Sequence, residues 1–178
     1  MKSCFVFLLL LITQNEMNER YELFLGQKIS DLEIKLGTSD YNKTDERYSY
    51  FFFDDQLPYY NNYANAMFVR VDDKERIKSI DIKLTKLIND VLYNELIKQY
   101  GNPNSILVVD EIISLGTSVN DTTGATMKKN FLKTKEGSFE EQPLHIIWNK
   151  DSFKIEVLMK YEQNLSEITF SVLREGDN

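Results

Sequence analysis

The sequence predicts an α+β fold: two helix-plus-antiparallel-meander repeats, with the helices packed on one face of the sheet. Three observations lead there. Two short helical patterns, at 29–37 and 88–101, each end in glycine. Each is followed by segments in which apolar and polar residues alternate, as half-buried strands require. In the second half the alternation runs through three consecutive segments, the mark of an antiparallel meander. An apolar helical stripe and a one-sided apolar sheet must then cover each other.

The elements follow in order. Residues 4–12 are an unbroken apolar run of nine behind the single charge of Lys2. A bilayer-spanning helix needs roughly 20 apolar residues, whereas a run this short fits the centre of a secretory signal. Residues 1–14 are therefore expected to be a signal peptide, with Thr13 or Gln14 standing in for the missing Ala-x-Ala. An uncleaved anchor and a buried N-terminal element are the alternatives. Cys4 precedes the run, where a lipoprotein cysteine would follow it.

The first helix-β-β-β unit is placed at 15–86. Ser30 and Glu33 have the spacing of a capping box, Ile29 and Ile34 that of a hydrophobic staple, and Gly37 closes the helix. Strands are expected at 48–54, 67–71 and 79–84, with a charged hairpin tip at 72–75. The second unit is placed at 87–178. Leu92, Leu96 and Tyr100 lie one turn apart behind an Asn89 cap, and Gly101 with Pro103 ends the helix. Residues 144–148, 153–161 and 168–172 are the three alternating strands. Between helix and strands stands an insertion at 104–143. Its 106–115 segment reads as β, and its 116–129 segment, rich in Thr, Gly and Asn, reads as a long mobile loop.

Composition narrows the function. The chain has 178 residues, 42% hydrophobic and 28% charged, which suits a folded domain and not a disordered one. A net charge of −7 argues against a nucleic-acid partner, because phosphate contacts need clustered Lys and Arg. One Cys and one His exclude an internal disulfide, a Cys-rich zinc site and any site built on several imidazoles. Loss of residues 1–14 would leave no Cys, no membrane span and a charge of −8. Abundant Lys, Asn, Ile, Tyr and Phe resemble the usage of low-GC bacteria.

Catalytic patterns are sparse. His145 lies opposite the apolar face of its strand and has no recognisable nucleophile beside it. The acid pairs Asp54–Asp55, Asp72–Asp73 and Asp110–Glu111 are sequence neighbours, which on a strand point to opposite faces. None of them alone forms a glycosidase couple. Neither 72–75 nor 120–124 has the ligand spacing of a calcium loop. The triplets at Asn42, Asn120 and Asn164 match the glycosylation acceptor, which matters only in a eukaryotic secretory pathway. No catalytic residue, metal ligand or cofactor is expected.

The phrases L-G-Q-K-I-S-D-L-E-I-K-L-G (25–37) and L-Y-N-E-L-I-K-Q-Y-G-N-P (92–103) resemble a short helix closed by glycine. That opening occurs in tandem exported bacterial modules related to the β-lactamase-inhibitor-protein-like fold and to outer-membrane assembly lipoproteins. The resemblance covers about two-thirds of the chain. It implies side-by-side helix-and-sheet units that bind other proteins. Gly37 lacks the following proline, and the 104–143 insertion has no counterpart.

The best binding candidates are aromatic. Tyr59, Tyr60 and Tyr63 lie in a stretch marked as a loop by Pro58 and Asn61–Asn62. The preceding strand places Tyr48, Tyr50 and Phe52 on one face and Phe51 and Phe53 on the other. A strand apolar on both sides is either sandwiched in the fold or covered by a partner. The alternative is that the loop folds back and buries its tyrosines. The expected function is a non-enzymatic, exported, protein-binding module recognising a protein or cell-envelope component. A binder of small molecules or glycans, using stacked tyrosines and Trp148, is a second reading. A carboxylate-based hydrolase is a third.

Overall fold

A computed structural model describes residues 20–43, 47–60, 62–119 and 126–173, without the side chains of 40–50, 52–56, 58, 115 and 117–130. The expected export signal at 1–14 lies outside these residues. The chain forms two α-helices, α1 (Ile29–Leu36) and α2 (Asp90–Tyr100), and one antiparallel sheet. The strands are β1 (Asp40–Lys43), β2 (Arg47–Tyr59), β3 (Asn62–Val71), β4 (Ile77–Leu84), β5 (Ser105–Val119), β6 (Thr126–Glu136), β7 (His145–Asn149), β8 (Phe153–Lys160) and β9 (Leu165–Val172). They lie in the order β1-β2-β3-β4-β9-β8-β7-β5-β6. This is an α+β fold.

Helix α2 forms as its sequence dictates. The Asn89 side chain accepts from Leu92 N at 3.0 Å, satisfying one of the amides left open at a helix start. Gly101, at φ 77°, donates its N–H to Ile97 O at 2.7 Å and stops the helix. Leu92, Leu96 and Tyr100 are buried at one-turn spacing. Asn89→Ala is expected to destabilise the protein by about 1 kcal/mol. A urea titration checks this, and a change below a few tenths would mean the cap does not hold the helix.

Helix α1 starts differently from the sequence expectation. Its N-cap is Lys28, with no side-chain cap bond, and Ser30 lies inside the helix. Lys28 bridges Arg76, and Ile29 N donates to Glu75 O at 3.0 Å. A tertiary contact therefore satisfies the first amide of the helix, where no side-chain cap forms. Glu33 reaches the other way, accepting from Ser39 N at 3.2 Å and Ser39 Oγ at 2.6 Å. Ile34, the expected staple residue, is 87% exposed.

The two halves of the sheet meet at β4 and β9, paired as Ile80↔Phe170, Ile82↔Ile168 and Leu84↔Ser166. One apolar core holds Met67 and Val69 of β3, Ile80 and Ile82 of β4, and Ile168 and Phe170 of β9. Ile155 and Val157 of β8, Ile146 and Trp148 of β7, Leu32 of α1 and the α2 stripe complete it. Alternate burial along β7, β8 and β9 matches the predicted meander. Ser166 is fully buried but satisfied: its Oγ accepts from Ile88 N at 2.9 Å. That bond ties the entry of α2 to β9.

Two expected loops are largely strand where they are described, with Asn61 and residues 120–125 outside the described residues. The 57–63 stretch is the end of a hairpin, with Tyr59 paired to Asn62 and Tyr60 turning at φ 46°. Positive φ is what a two-residue hairpin turn demands. The expected mobile loop at 116–129 continues β5 to Val119 and resumes as β6 from Thr126. Gly116, at φ 106°, sits where the register shifts between Ser114 and Gly116, a conformation that side chains strain to adopt. Neither stretch shows a one-sided apolar alternation in sequence, so the strand signal was missing there.

Candidate functional site

The aromatic residues divide into a buried group and an exposed one. Tyr59 is 1% exposed and Tyr60 5%, so neither presents its ring at the surface. Tyr59 stacks on Tyr21 (centroids 6.0 Å apart) and meets Tyr60 edge-on at 4.7 Å. Phe51 and Trp148 are buried as well. The Trp148 indole donates to Gly101 O at 2.8 Å, and Tyr93 lies beside its ring. A ring enclosed in this way has no face left for a sugar or other stacked ligand. Of the described members of this set, Tyr63 alone is open, at 47%. The side chains of Tyr48, Tyr50 and Phe53 lie outside the described residues.

Burial of the tyrosines has a polar centre. The Glu22 side chain is almost fully enclosed, and its Oε1 accepts from Arg20 Nε at 2.7 Å. Tyr60 donates to Gln99 Oε1, and Gln99 Nε2 donates to the Tyr100 hydroxyl at 2.9 Å. Among the described residues, Glu22 Oε2 and the Tyr59 hydroxyl have no hydrogen-bond partner. Burial, reinforced by Tyr60 and Glu22, pushes the Tyr59 hydroxyl well above its ordinary ionisation range. Burial and Glu22 push Tyr60 up to about 12. Burial raises Tyr100 too. These groups pin the segment before α1 and the tip of the β2–β3 hairpin to the last turn of α2.

Chemistry-bearing groups elsewhere are already engaged. A shallow depression on the sheet is lined by Arg70, Lys78, Asp81, Lys154, Glu156 and Thr169, among others. Asp81 accepts from Thr169 Oγ1 at 2.7 Å, and Glu156 pairs with Lys154 at 2.9 Å. His145 is half-buried in β7, opposite Leu158 of β8 and Leu107 of β5. Among the described residues no group of three or more His, Cys, Asp and Glu stands close enough to hold a metal. No described helix is long and apolar enough to cross a membrane.

Among the described residues, exposed apolar side chains gather in the 104–143 insertion. β5 pairs with β7 only through Ser105, Ile106 and Leu107. From Val108 onward it pairs with β6 alone, so β5 and β6 leave the body as a two-stranded arm. The root of the arm is fixed. Val108 is buried, Gly137 N donates to Ile106 O at 2.9 Å, and a Cβ on Gly137 would come within 2.7 Å of Val108 Cγ1.

Beyond the root both faces carry exposed apolar residues. Directly opposed residues of an antiparallel pair share a face. Ile112 opposite Leu132 therefore defines one face, and Ile113 opposite Phe131 the other. Ile112 is 63% exposed and Phe131 56%. The sequence signal is the pair of apolar dipeptides, Ile112–Ile113 and Phe131–Leu132, which the register sets opposite each other. That signal is weak, because neither dipeptide alternates with its neighbours over a strand length.

Searches against protein-family models, curated proteins and solved structures find no match to this chain.

Proposed function

We propose that this chain is an exported, non-enzymatic protein-binding module whose principal contact surface is the β5–β6 arm. The carrying observation is that arm, which leaves the body with Ile112 and Leu132 open on one face and Ile113 and Phe131 open on the other. A strand apolar on both faces is normally covered on both. Exposed contiguous apolar surface on a charged chain marks a place of association. Among the described members of the expected aromatic set, Tyr63 is exposed. The partner is a protein or cell-envelope component, and export rests on the apolar run at 4–12.

The same reading includes two tandem units. Outward from the β4–β9 join, β4-β3-β2-β1 on one side is mirrored by β9-β8-β7-β5 on the other, with β6 as the extra strand. One α-helix precedes each set. Leu32 of α1 and Leu92 of α2 share one core with the alternate strand residues, which supports helices on a common face of the sheet.

The test is an Ile112→Asp/Phe131→Asp double variant, compared with the parent in capture from envelope extract. The parent is expected to retain a saturable partner. The variant is expected to lose it by at least about tenfold, since buried apolar anchors carry most of an interface's affinity. Its thermal unfolding should stay unchanged, because neither side chain is in the core. Equal recovery by a folded variant would overturn the arm's role.

A further inference from the structure

We infer that the arm binds by strand addition: an extended, acidic segment of the partner pairs with the outer edge of β6. The inference rests on the arm reading above and adds to it the kind of partner and the geometry of the contact.

The first support is the edge itself. Among the described residues, β6 is the terminal strand of the sheet and pairs only with β5. The outward amides and carbonyls of Thr126–Glu136 therefore meet no described strand. Such a row is a template for another chain. The second support is charge. Between Thr126 and Lys135 the sequence carries Lys128, Lys129, Lys133 and Lys135 and no acid, on a chain of net charge −7. Lys133 and Lys135 are exposed and share one carboxylate, Asp110, at 3.6 and 3.4 Å. Counted over the whole strand, the four lysines of β6 face two acids of β5, Asp110 and Glu111, which leaves positive charge along it. Glu136, the acid that ends the strand, is turned inward, where Ser105 Oγ and Ile106 N donate to it at 2.6 and 3.2 Å.

Charge also discriminates between occupants. Lysines on an edge oppose pairing with a like-charged strand. In most antiparallel registers of β6 with a second β6, a lysine falls opposite a lysine. A second copy using this strand is therefore disfavoured, and a strand bearing carboxylates is favoured. Edge protection by itself would not need apolar residues on both faces. Those residues supply the neighbours that an added strand's alternating side chains would contact.

Register makes the partner's pattern specific. Phe131, Lys133 and Lys135 share one face of β6, and Leu132 and Thr134 the other, by strand alternation. An antiparallel partner then reads, from its N-terminus, acid-x-acid-apolar-apolar. The acids stand opposite Lys135 and Lys133, and the apolar pair opposite Leu132 and Phe131.

The probe is a dye-labelled synthetic peptide repeating glutamate, threonine, glutamate, valine, valine, titrated by fluorescence anisotropy into the full chain. Controls carry lysine for glutamate, or N-methyl groups on alternate amides. Saturable binding of the acidic peptide is expected, with β6 amides newly protected from hydrogen exchange. Lys133→Gln/Lys135→Gln and Lys133→Glu/Lys135→Glu variants are expected to weaken it, the reversal by about tenfold. The N-methylated peptide is expected not to bind, because it lacks the edge hydrogen bonds. Equal binding of acidic and basic peptides, or of the methylated one, would overturn strand addition. So would unchanged β6 exchange, or self-association in sedimentation that the charge variants abolish. If Ile112→Asp/Phe131→Asp loses the captured partner while the charge variants keep it, the arm reading stands and strand addition falls.

Discussion

Trp148→Ala is expected to lower the unfolding free energy by about 3–5 kcal/mol, the cost of removing a large aromatic from a closed core. Trp148 is fully buried between the α2 end and the sheet, and its indole N–H satisfies Gly101 O at 2.8 Å. The substitution leaves a cavity and an unpaired carbonyl at the point where α2 stops. Total stabilities of single domains are only about 5–15 kcal/mol. The variant should therefore unfold at much lower urea, read by far-ultraviolet circular dichroism because no other tryptophan remains. Trp148→Phe keeps most of the volume and should cost less. Tyr63→Ala, at an exposed position, should move stability by no more than about 0.5 kcal/mol. A Trp148→Ala loss as small as that of Tyr63→Ala would mean the ring is not packed as described.

The second large effect is alkaline. Unfolded tyrosines ionise near pH 10, whereas burial holds Tyr59, Tyr60 and Tyr100 neutral above that range. Below about pH 10 both states keep these protons, and the three groups add no pH dependence. Above it the unfolded chain releases protons that the native chain retains. Stability therefore falls, by up to about 1.4 kcal/mol per pH unit for each tyrosine. The fall persists for Tyr60 until it ionises in the folded state near 12. By about pH 11 the combined loss should be about 3–4 kcal/mol. Urea midpoints across this range measure it, with tyrosinate absorbance rising together with unfolding. Tyr60→Phe should flatten the slope by one of the three contributions. Independent titration of all the tyrosines in the still-folded protein would contradict the buried cluster.

Of the residues behind these two effects, the sequence places Trp148, Tyr59 and Tyr60 among binding candidates and Tyr100 in the apolar stripe of the second helix. The side-chain types were legible, but their destination was not. A tyrosine at a hairpin tip is equally suited to a partner and to the protein's own interior. What turned Tyr59 and Tyr60 inward was Glu22 with Tyr21 on one side and Gln99 with Tyr100 on the other. Those groups lie far away in sequence, and no local pattern joins them. Trp148 was legible as a core residue from its alternation with Ile146, and its partner Gly101 as a helix stop. That these two residues meet in space was not.

The arm shows the converse. Its sequence reads partly as strand and partly as loop, because 116–129 lacks the alternation that a body on one side imprints. A hairpin projecting from the sheet has no inside, so period-two burial never develops along it.

Local chemistry was enough for several features. Asn89 with Gly101 bounds α2, since a cap and a left-handed stop act through neighbouring amides alone. Alternation set β7, β8 and β9, because short turns make adjacent strands pair with each other. Long-range pairing settled the rest. It put β9 against β4, gave α1 its start through Glu75, closed the tyrosines around Glu22 and left β6 at an open edge. Each of those outcomes depends on which distant groups satisfy a backbone amide or cover an apolar ring. That choice is made by the folded whole, where the loss of chain entropy is offset by contacts the local sequence does not encode.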